Sequence, residues 1–298
     1  MFFLDNGMSN TVTVEKSVLL RMSRTVGLTL LLSTLIGCTG MFFYPAETFV
    51  QTPTTLGLEY DDIQLTAADG TQLHGWFLPA GGSPRGTLLF LHGNAENIST
   101  HMNNVSWLPA AGYQVLLLDY RGYGRSAGSP ELTGVLQDID AAISWLVETP
   151  EVADQPLYIL GQSLGASLMF AAVARRADQH KLCALVSDAA FTRYGDIVRQ
   201  VAARSWLTWP LQHPLAWLLD SDYDPVDALT TMSDLPILFF HSRDDEIIPH
   251  SHLDELISYH RGHSRRVETA GPHTATFNKV ENRSQMLDFL SSHRCAGA

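Results

Sequence analysis

Residues 156–165 read Pro156-Leu157-Tyr158-Ile159-Leu160-Gly161-Gln162-Ser163-Leu164-Gly165, and good helix formers then dominate as far as Ala177. The apolar run up to Leu160 fits a buried strand, and Leu164 to Ala177, rich in Ala, Leu and Met, fits a helix. A strand that turns this abruptly into a helix pushes its turn residue up from the sheet edge. Gly161 and Gly165 remove the Cβ atoms that would collide in so sharp a turn. The turn residue is Ser163, so its hydroxyl is expected to be exposed on a strained backbone, the geometry of a nucleophile elbow.

The rest of the chain reads as strand–helix alternation. Strands are expected at Tyr60–Leu65 and Gln72–Leu78, joined through Ala68-Asp69-Gly70, where Asp-Gly is a hairpin signal. Leu88–Leu91, Gln114–Leu118, Leu157–Leu160, Ala184–Val186, Ile237–Phe240 and Arg266–Thr269 follow. Helices fit at about 99–110, 131–148, 164–177, 250–261 and 280–293. In the second of these, Leu132, Val135, Leu136, Ile139, Ile143 and Leu146 recur at three and four, which gives one apolar face. Continuous apolar strands separated by helices imply an α/β domain, a mostly parallel eight-stranded sheet covered on both faces. The domain is expected over 58–298, with 191–235 as a small lid-like insertion in place of a full cap.

With 19 basic against 31 acidic residues among 298, the net charge is −12. That balance disfavours nucleic acid as a partner, because phosphate neutralisation needs a basic stripe; Arg261–Arg266 reads as a solvated helix end. The chain has no CxxC, HExxH or Walker-type loop, so the sequence implies neither metal nor nucleotide cofactor.

The amino terminus carries a second message. Lys16, Arg21 and Arg24 precede an apolar stretch, Val26–Ile36, too short to span a bilayer. The segment ends Leu35-Ile36-Gly37-Cys38 and resembles the lipobox of bacterial lipoproteins. That resemblance implies a signal peptide over 1–37, lipidation of Cys38, a tether over 38–57, and a protein held by its acyl chains on the periplasmic face of the cell envelope. Thr39 in place of Asp favours the outer membrane in that family. Translation could start at Met1, Met8 or Met22. Of the remaining cysteines, Cys183 lies in an apolar strand and Cys295 in the last helical turn or tail, depths too different for an expected disulfide.

Five motifs fall in order at strand ends. They are Leu91-His92-Gly93-Asn94-Ala95, Asp119-Tyr120-Arg121-Gly122-Tyr123-Gly124-Arg125-Ser126, Gly161–Gly165, Asp245-Glu246-Ile247-Ile248-Pro249 and Gly271-Pro272-His273. From about 58 to 293 the chain resembles the α/β-hydrolase superfamily, most of all its compact serine hydrolases with little or no cap. A serine hydroxyl needs a neighbouring base, and that base needs an acid to hold its tautomer. Among twelve histidines, His273 is the expected base, because its Gly-Pro loop follows the last strand level with the serine. His250, His252, His260 and His263 are expected to be solvated. Asp188, Asp244 and Asp245 all follow strands; the resemblance favours Asp245, four residues before Pro249, with Asp188 as the rival. The oxyanion hole is expected to use the Leu164 N–H and, by resemblance, the Asn94 N–H. His92 reads as a loop-orienting residue, and Asp119 with Arg121 as a buried pair or turn anchor.

Trp206–Leu219 is rich in aromatic and aliphatic side chains and has two readings, ordinary cover for the sheet edge or an apolar lid over an acyl pocket. For function, the sequence supports a serine hydrolase of carboxylic esters or thioesters acting on a small acyl substrate through an acyl-enzyme. A peptidase or amidase with the same triad, and a lipid-anchored binding protein with a vestigial site, are the alternatives.

Overall fold

The computed structural model describes residues 42–203, 213, 222–232 and 235–295. The expected signal peptide, Cys38 and the aromatic segment Trp206–Leu219 lie outside the described residues, apart from His213.

Eight strands form the central sheet: β1 (Asp61–Thr66), β2 (Gln72–Leu78), β3 (Gly86–Leu91), β4 (Tyr113–Asp119), β5 (Leu157–Gln162), β6 (Leu182–Asp188), β7 (Ile237–Ser242) and β8 (Ser264–Thr269). Their spatial order is β8-β7-β6-β5-β3-β4-β2-β1. β1 and β2 make an antiparallel hairpin through Gly70 at φ 89°, and β2 runs antiparallel to β4; every other neighbouring pair is parallel. The expected mostly parallel sheet is therefore the one formed.

The inner strands, β3 to β7, are largely apolar and buried from end to end because both their faces are covered, whereas the edge strands β1 and β8 are polar and partly exposed. In β3, Leu89 and Leu91 point into one core, with Leu116, Leu118 and Ile159. Leu88 and Phe90 point into the other, with Val115, Leu117, Tyr158 and Leu160. The first core is closed by α2 (Leu132–Glu148), whose Leu132, Val135, Leu136, Ile139, Ile143 and Leu146 are all buried as their spacing predicts. Each such side chain contributes roughly 1.5–3 kcal/mol when fully buried. α3 (Leu164–Ala174) is buried on every side from Leu164 to Val173, consistent with its lack of any polar face. The second core is closed by α7 (Val280–Ser292) through Met286, Phe289 and Leu290.

Three expectations are corrected. Cys183 and Cys295 are bonded, with Cα atoms 5.2 Å apart. Cys183 is buried and Cys295 half-buried, but the tail beyond α7 packs on the same sheet face into which Cys183 points, which brings the two together. The 99–110 segment is not one helix but a single turn, α1 (Ile98–His101), followed by two 3-10 turns at Met102–Asn104 and Pro109–Ala111. His252 and His260 are buried rather than solvated. They belong to the face of α6 (Ser251–Tyr259) and its end that meets α4 (Tyr194–Ala203) and α5 (Pro225–Leu229) with the turn after it: His252 Nδ1 accepts from Thr192 N–H at 3.2 Å and His260 Nε2 donates to Met232 O at 2.8 Å.

Candidate active site

The site is assembled at the carboxyl edge of the parallel strands, where β5, β6 and β7 end level with one another: Gln162 pairs with Asp188 in register and Asp188 with Phe240. Ser163 occupies the turn between β5 and α3 at φ 54° and ψ −117°. That left-handed conformation is costly for a non-glycine residue and persists where surroundings over-determine it. Here they do. A Cβ on Gly165 would stand 2.1 Å from Leu91 O, and one on Gly161 would stand 2.6 Å from Ala166 N. Ser163 N–H also donates to Asp188 O at 2.8 Å, so the elbow is tied to the neighbouring strand.

His273 Nε2 lies 2.8 Å from Ser163 Oγ, and His273 Nδ1 lies 2.7 Å from Asp245 Oδ2. A carboxylate can only accept, so Nδ1 carries the proton and Nε2 presents a lone pair to the serine hydroxyl. The other oxygen of Asp245 accepts from Ile247 N–H at 2.8 Å and Ile248 N–H at 2.9 Å. The Asp245 side chain is fully buried; burial works to raise its pKa, but the His273 contact and these donors hold it below the usual carboxylate value. The Asp245-Glu246-Ile247-Ile248-Pro249 turn thus exists to point one carboxylate at one imidazole. Asp244 accepts instead from Gly271 N–H at 3.0 Å and pins the base of the histidine loop.

Asp188, the rival acid, does not touch His273. It accepts from Gln162 Nε2 at 2.8 Å and from Thr276 Oγ1 at 2.7 Å, and burial pushes its pKa up to about 6. Gln162, whose Oε1 accepts from Asn104 Nδ2 at 2.7 Å, joins Asp188 to the residues after His273. Asp119 and Arg121 are both buried but do not pair with each other, which corrects one of the two roles expected for them. Asp119 meets His74 Nδ1 at 3.3 Å and Ile98 N–H at 3.0 Å, whereas Arg121 pairs with Asp138 at 2.8 Å.

The loop after β3 runs beside the nucleophile: a Cβ on Gly93 would lie 3.7 Å from Ser163 Cβ. His92 Nδ1 donates to Gly93 O at 2.7 Å, the loop-orienting bond expected of it, and burial lowers its pKa well below the usual value. Leu164 N–H stands at the amino end of α3, where orphan amides and the helix dipole favour negative charge. Two residues that the sequence did not single out brace this loop. Tyr120 Oη donates to His92 O at 3.0 Å and Tyr123 Oη to Asn94 O at 2.7 Å. Both lie in the Asp119–Ser126 motif, and their spacing of three around a tight turn was the available signal. A third brace, residues 42–50, had no signal at all and crosses the loop from outside.

A strained serine on a strand–helix elbow, a histidine within hydrogen-bond reach and a buried aspartate behind it, on this sheet, define a serine hydrolase of the α/β-hydrolase class. The serine aminopeptidase S33 family matches residues 82–228. YfhR of Escherichia coli K12 is 32% identical over 259 residues, covering 84% of this chain and 87% of the relative. The α/β-hydrolase domain-containing protein WAV2 of Arabidopsis thaliana is 30% identical over 220 residues, 71% of this chain and 70% of the relative. Among solved structures, the Pyrococcus furiosus esterase Pf2001 superposes with a TM-score of 0.68 at 22% identity, over 85% of this chain and 98% of its own. The chain belongs to the family of α/β-hydrolase-domain proteins that includes YfhR and WAV2.

Proposed function

We propose that the protein cleaves carboxylic esters or thioesters through an acyl-enzyme on Ser163. The observation that carries this reading is the continuous relay from Asp245 Oδ2 through His273 to Ser163 Oγ, at 2.7 and 2.8 Å. His273 takes the serine proton as Oγ attacks the acyl carbon, and Asp245 stabilises the imidazolium that results. The N–H groups of Leu164 and Asn94 meet the developing oxyanion. His273 then returns the proton to the leaving oxygen or sulfur, and water repeats the sequence on the acyl-enzyme. No metal or cofactor enters these steps. Kinetics on p-nitrophenyl esters of rising chain length test the reading, with Ser163→Ala as the control that abolishes turnover.

The S33 match favours a second reading, hydrolysis of aminoacyl amides by the same triad. Aminoacyl p-nitroanilides measured beside the esters separate the two by their kcat/KM ratio. We further propose that Cys38 is acylated and holds the enzyme on the periplasmic face of the cell envelope, more in keeping with the outer membrane than the inner. Leu35-Ile36-Gly37-Cys38 after a charged and then an apolar stretch supports this. Two or more acyl chains, at about 0.8 kcal/mol per buried methylene, are enough for a stable anchor.

A further inference from the structure

The loop that carries the Asn94 N–H has little secondary structure of its own. Its one ladder is borrowed: Ala95 and Glu96 pair in parallel with Tyr44 and Pro45. The Asn94 side chain is bound to this segment at both ends of its amide, Nδ2 donating to Phe42 O at 2.6 Å and Oδ1 accepting from Tyr44 N–H at 3.1 Å. Three residues on, the buried Asn97 gives both amide protons to the same segment, at Ala46 O (2.8 Å) and Thr48 O (2.9 Å), while its Oδ1 caps α1 at Ser99 N–H (2.9 Å). Ala46 N–H donates to Glu96 O at 3.1 Å, and Val50 N–H donates to Ser99 Oγ at 3.0 Å. Glu96 sits at φ 66°, a left-handed position that a non-glycine residue keeps only when its surroundings impose it. Phe43 is buried in the core, and the Phe42 ring lies edge-on to Phe191 and Tyr194. Within the expected tether, residues 42–50 are clamped, residue after residue, across the loop beside Ser163.

We propose that this strap, residues 42–50, is a positioning element of the oxyanion site: it holds the 93–97 loop against the tyrosines beneath and thereby fixes the Asn94 N–H relative to Ser163. The proposal rests on the reading of Ser163 as nucleophile and Asn94 as oxyanion donor. Loosening the strap leaves Asp245, His273 and Ser163 in place but lets the second donor wander. Such a donor acts on the transition state more than on bound substrate, so its loss appears in kcat rather than KM. Removing an oxyanion donor outright costs about 100- to 1,000-fold in kcat, and loosening one costs less.

Two substitutions in the full chain separate this from a purely structural role. Tyr44→Pro deletes the N–H that reaches Asn94 Oδ1 at a residue 65% exposed, where little packing is lost. Asn97→Asp keeps the capping oxygen and removes both donors to the strap carbonyls. Hydrogen exchange over 42–50 reports whether the strap is released. kcat and KM for a p-nitrophenyl ester, and affinity for a trifluoromethyl ketone that mimics the tetrahedral intermediate, report the site. The expected result for the double variant is loss of exchange protection over 42–50, a fall in kcat of about 10- to 100-fold, a parallel fall in ketone affinity, and a KM within about threefold of wild type. Tyr44→Pro alone shows the same direction, and it carries the test if the double variant does not fold. A released strap with kcat and ketone affinity unchanged overturns the proposal. So does a strap that stays protected in the double variant, because these bonds would then not be what holds it. Hydrolysis that survives Ser163→Ala would overturn the underlying nucleophile assignment instead, whatever the strap does.

Discussion

Of the two buried carboxylates near His273, only Asp245 bonds to it, and their surroundings hold them differently. Asp245 has His273 and two backbone N–H groups to hold its charge, so it remains ionised and fixes the tautomer. Asp188 has only a neutral amide and a hydroxyl, so burial raises its pKa to about 6. Asp245→Asn is expected to lower kcat by about four orders of magnitude through the wrong tautomer. Asp188→Asn, which can still accept from Gln162, is expected to cost no more than roughly tenfold. Steady-state kinetics on the two variants check this, and the reverse ranking would move the acid to β6. Asp188 also sets a pH dependence. Its folded pKa lies above the unfolded value, so the folded state binds the extra proton and this group's contribution to stability declines as pH rises from about 4 through about 6. The urea-unfolding difference between Asp188→Asn and wild type should therefore shift by roughly 1–2 kcal/mol in the variant's favour between pH 5 and pH 7. An unchanged difference at the two pH values contradicts that assignment.

The elbow between β5 and α3 works as an element because neither glycine can be replaced in place. Gly165→Ala puts a methyl against the carbonyls of Leu91 and His92, both backbone, and should destabilise the protein by about 3 kcal/mol or more in urea unfolding, with loss of turnover. Retained stability and activity would mean that β3 can move aside. At the other end of the sheet, the Cys183–Cys295 bond ties β6 to the tail beyond α7 across a separation of 112 residues. Cys295→Ser should lower stability by about 2–4 kcal/mol under oxidising conditions and leave kcat alone; equal stabilities would show that the tail is held by packing without the bond. These elements differ in how plainly the sequence announced them. The strands, α2 and the elbow were legible because their signals are local: an unbroken apolar run, a three-and-four repeat, two glycines flanking Ser163. The convergence of Ser163, Asp245 and His273 was legible because all three sit just beyond the ends of such strands. The disulfide, the buried His252 and His260, and the strap were not legible, since each depends on which surface a distant segment covers. Tyr44 and Asn94 are fifty residues apart and carry no pattern that links them.

For the whole molecule, the strap fixes Phe42, the first described residue, beside the 93–97 loop. Cys38 precedes Phe42 by four residues, at most about 14 Å of extended chain, and Phe42 is bonded to the loop beside Ser163. An acyl anchor on Cys38 would therefore hold the oxyanion side of the site close to the membrane surface. Cys38→Ser is expected to move the protein from the membrane fraction to an uncleaved or soluble form with the hydrolase domain intact; wild-type protein that is already soluble without detergent contradicts the anchor. Everything proposed about catalysis, however, converges on one oxygen atom. The most direct test is the intact mass of the protein after treatment with a fluorophosphonate. One phosphonyl adduct is expected on wild type, mapped to Ser163, with none on Ser163→Ala and slow or absent labelling on His273→Ala. An adduct that persists on Ser163→Ala, or a wild type that takes up no adduct, would place the chemistry elsewhere.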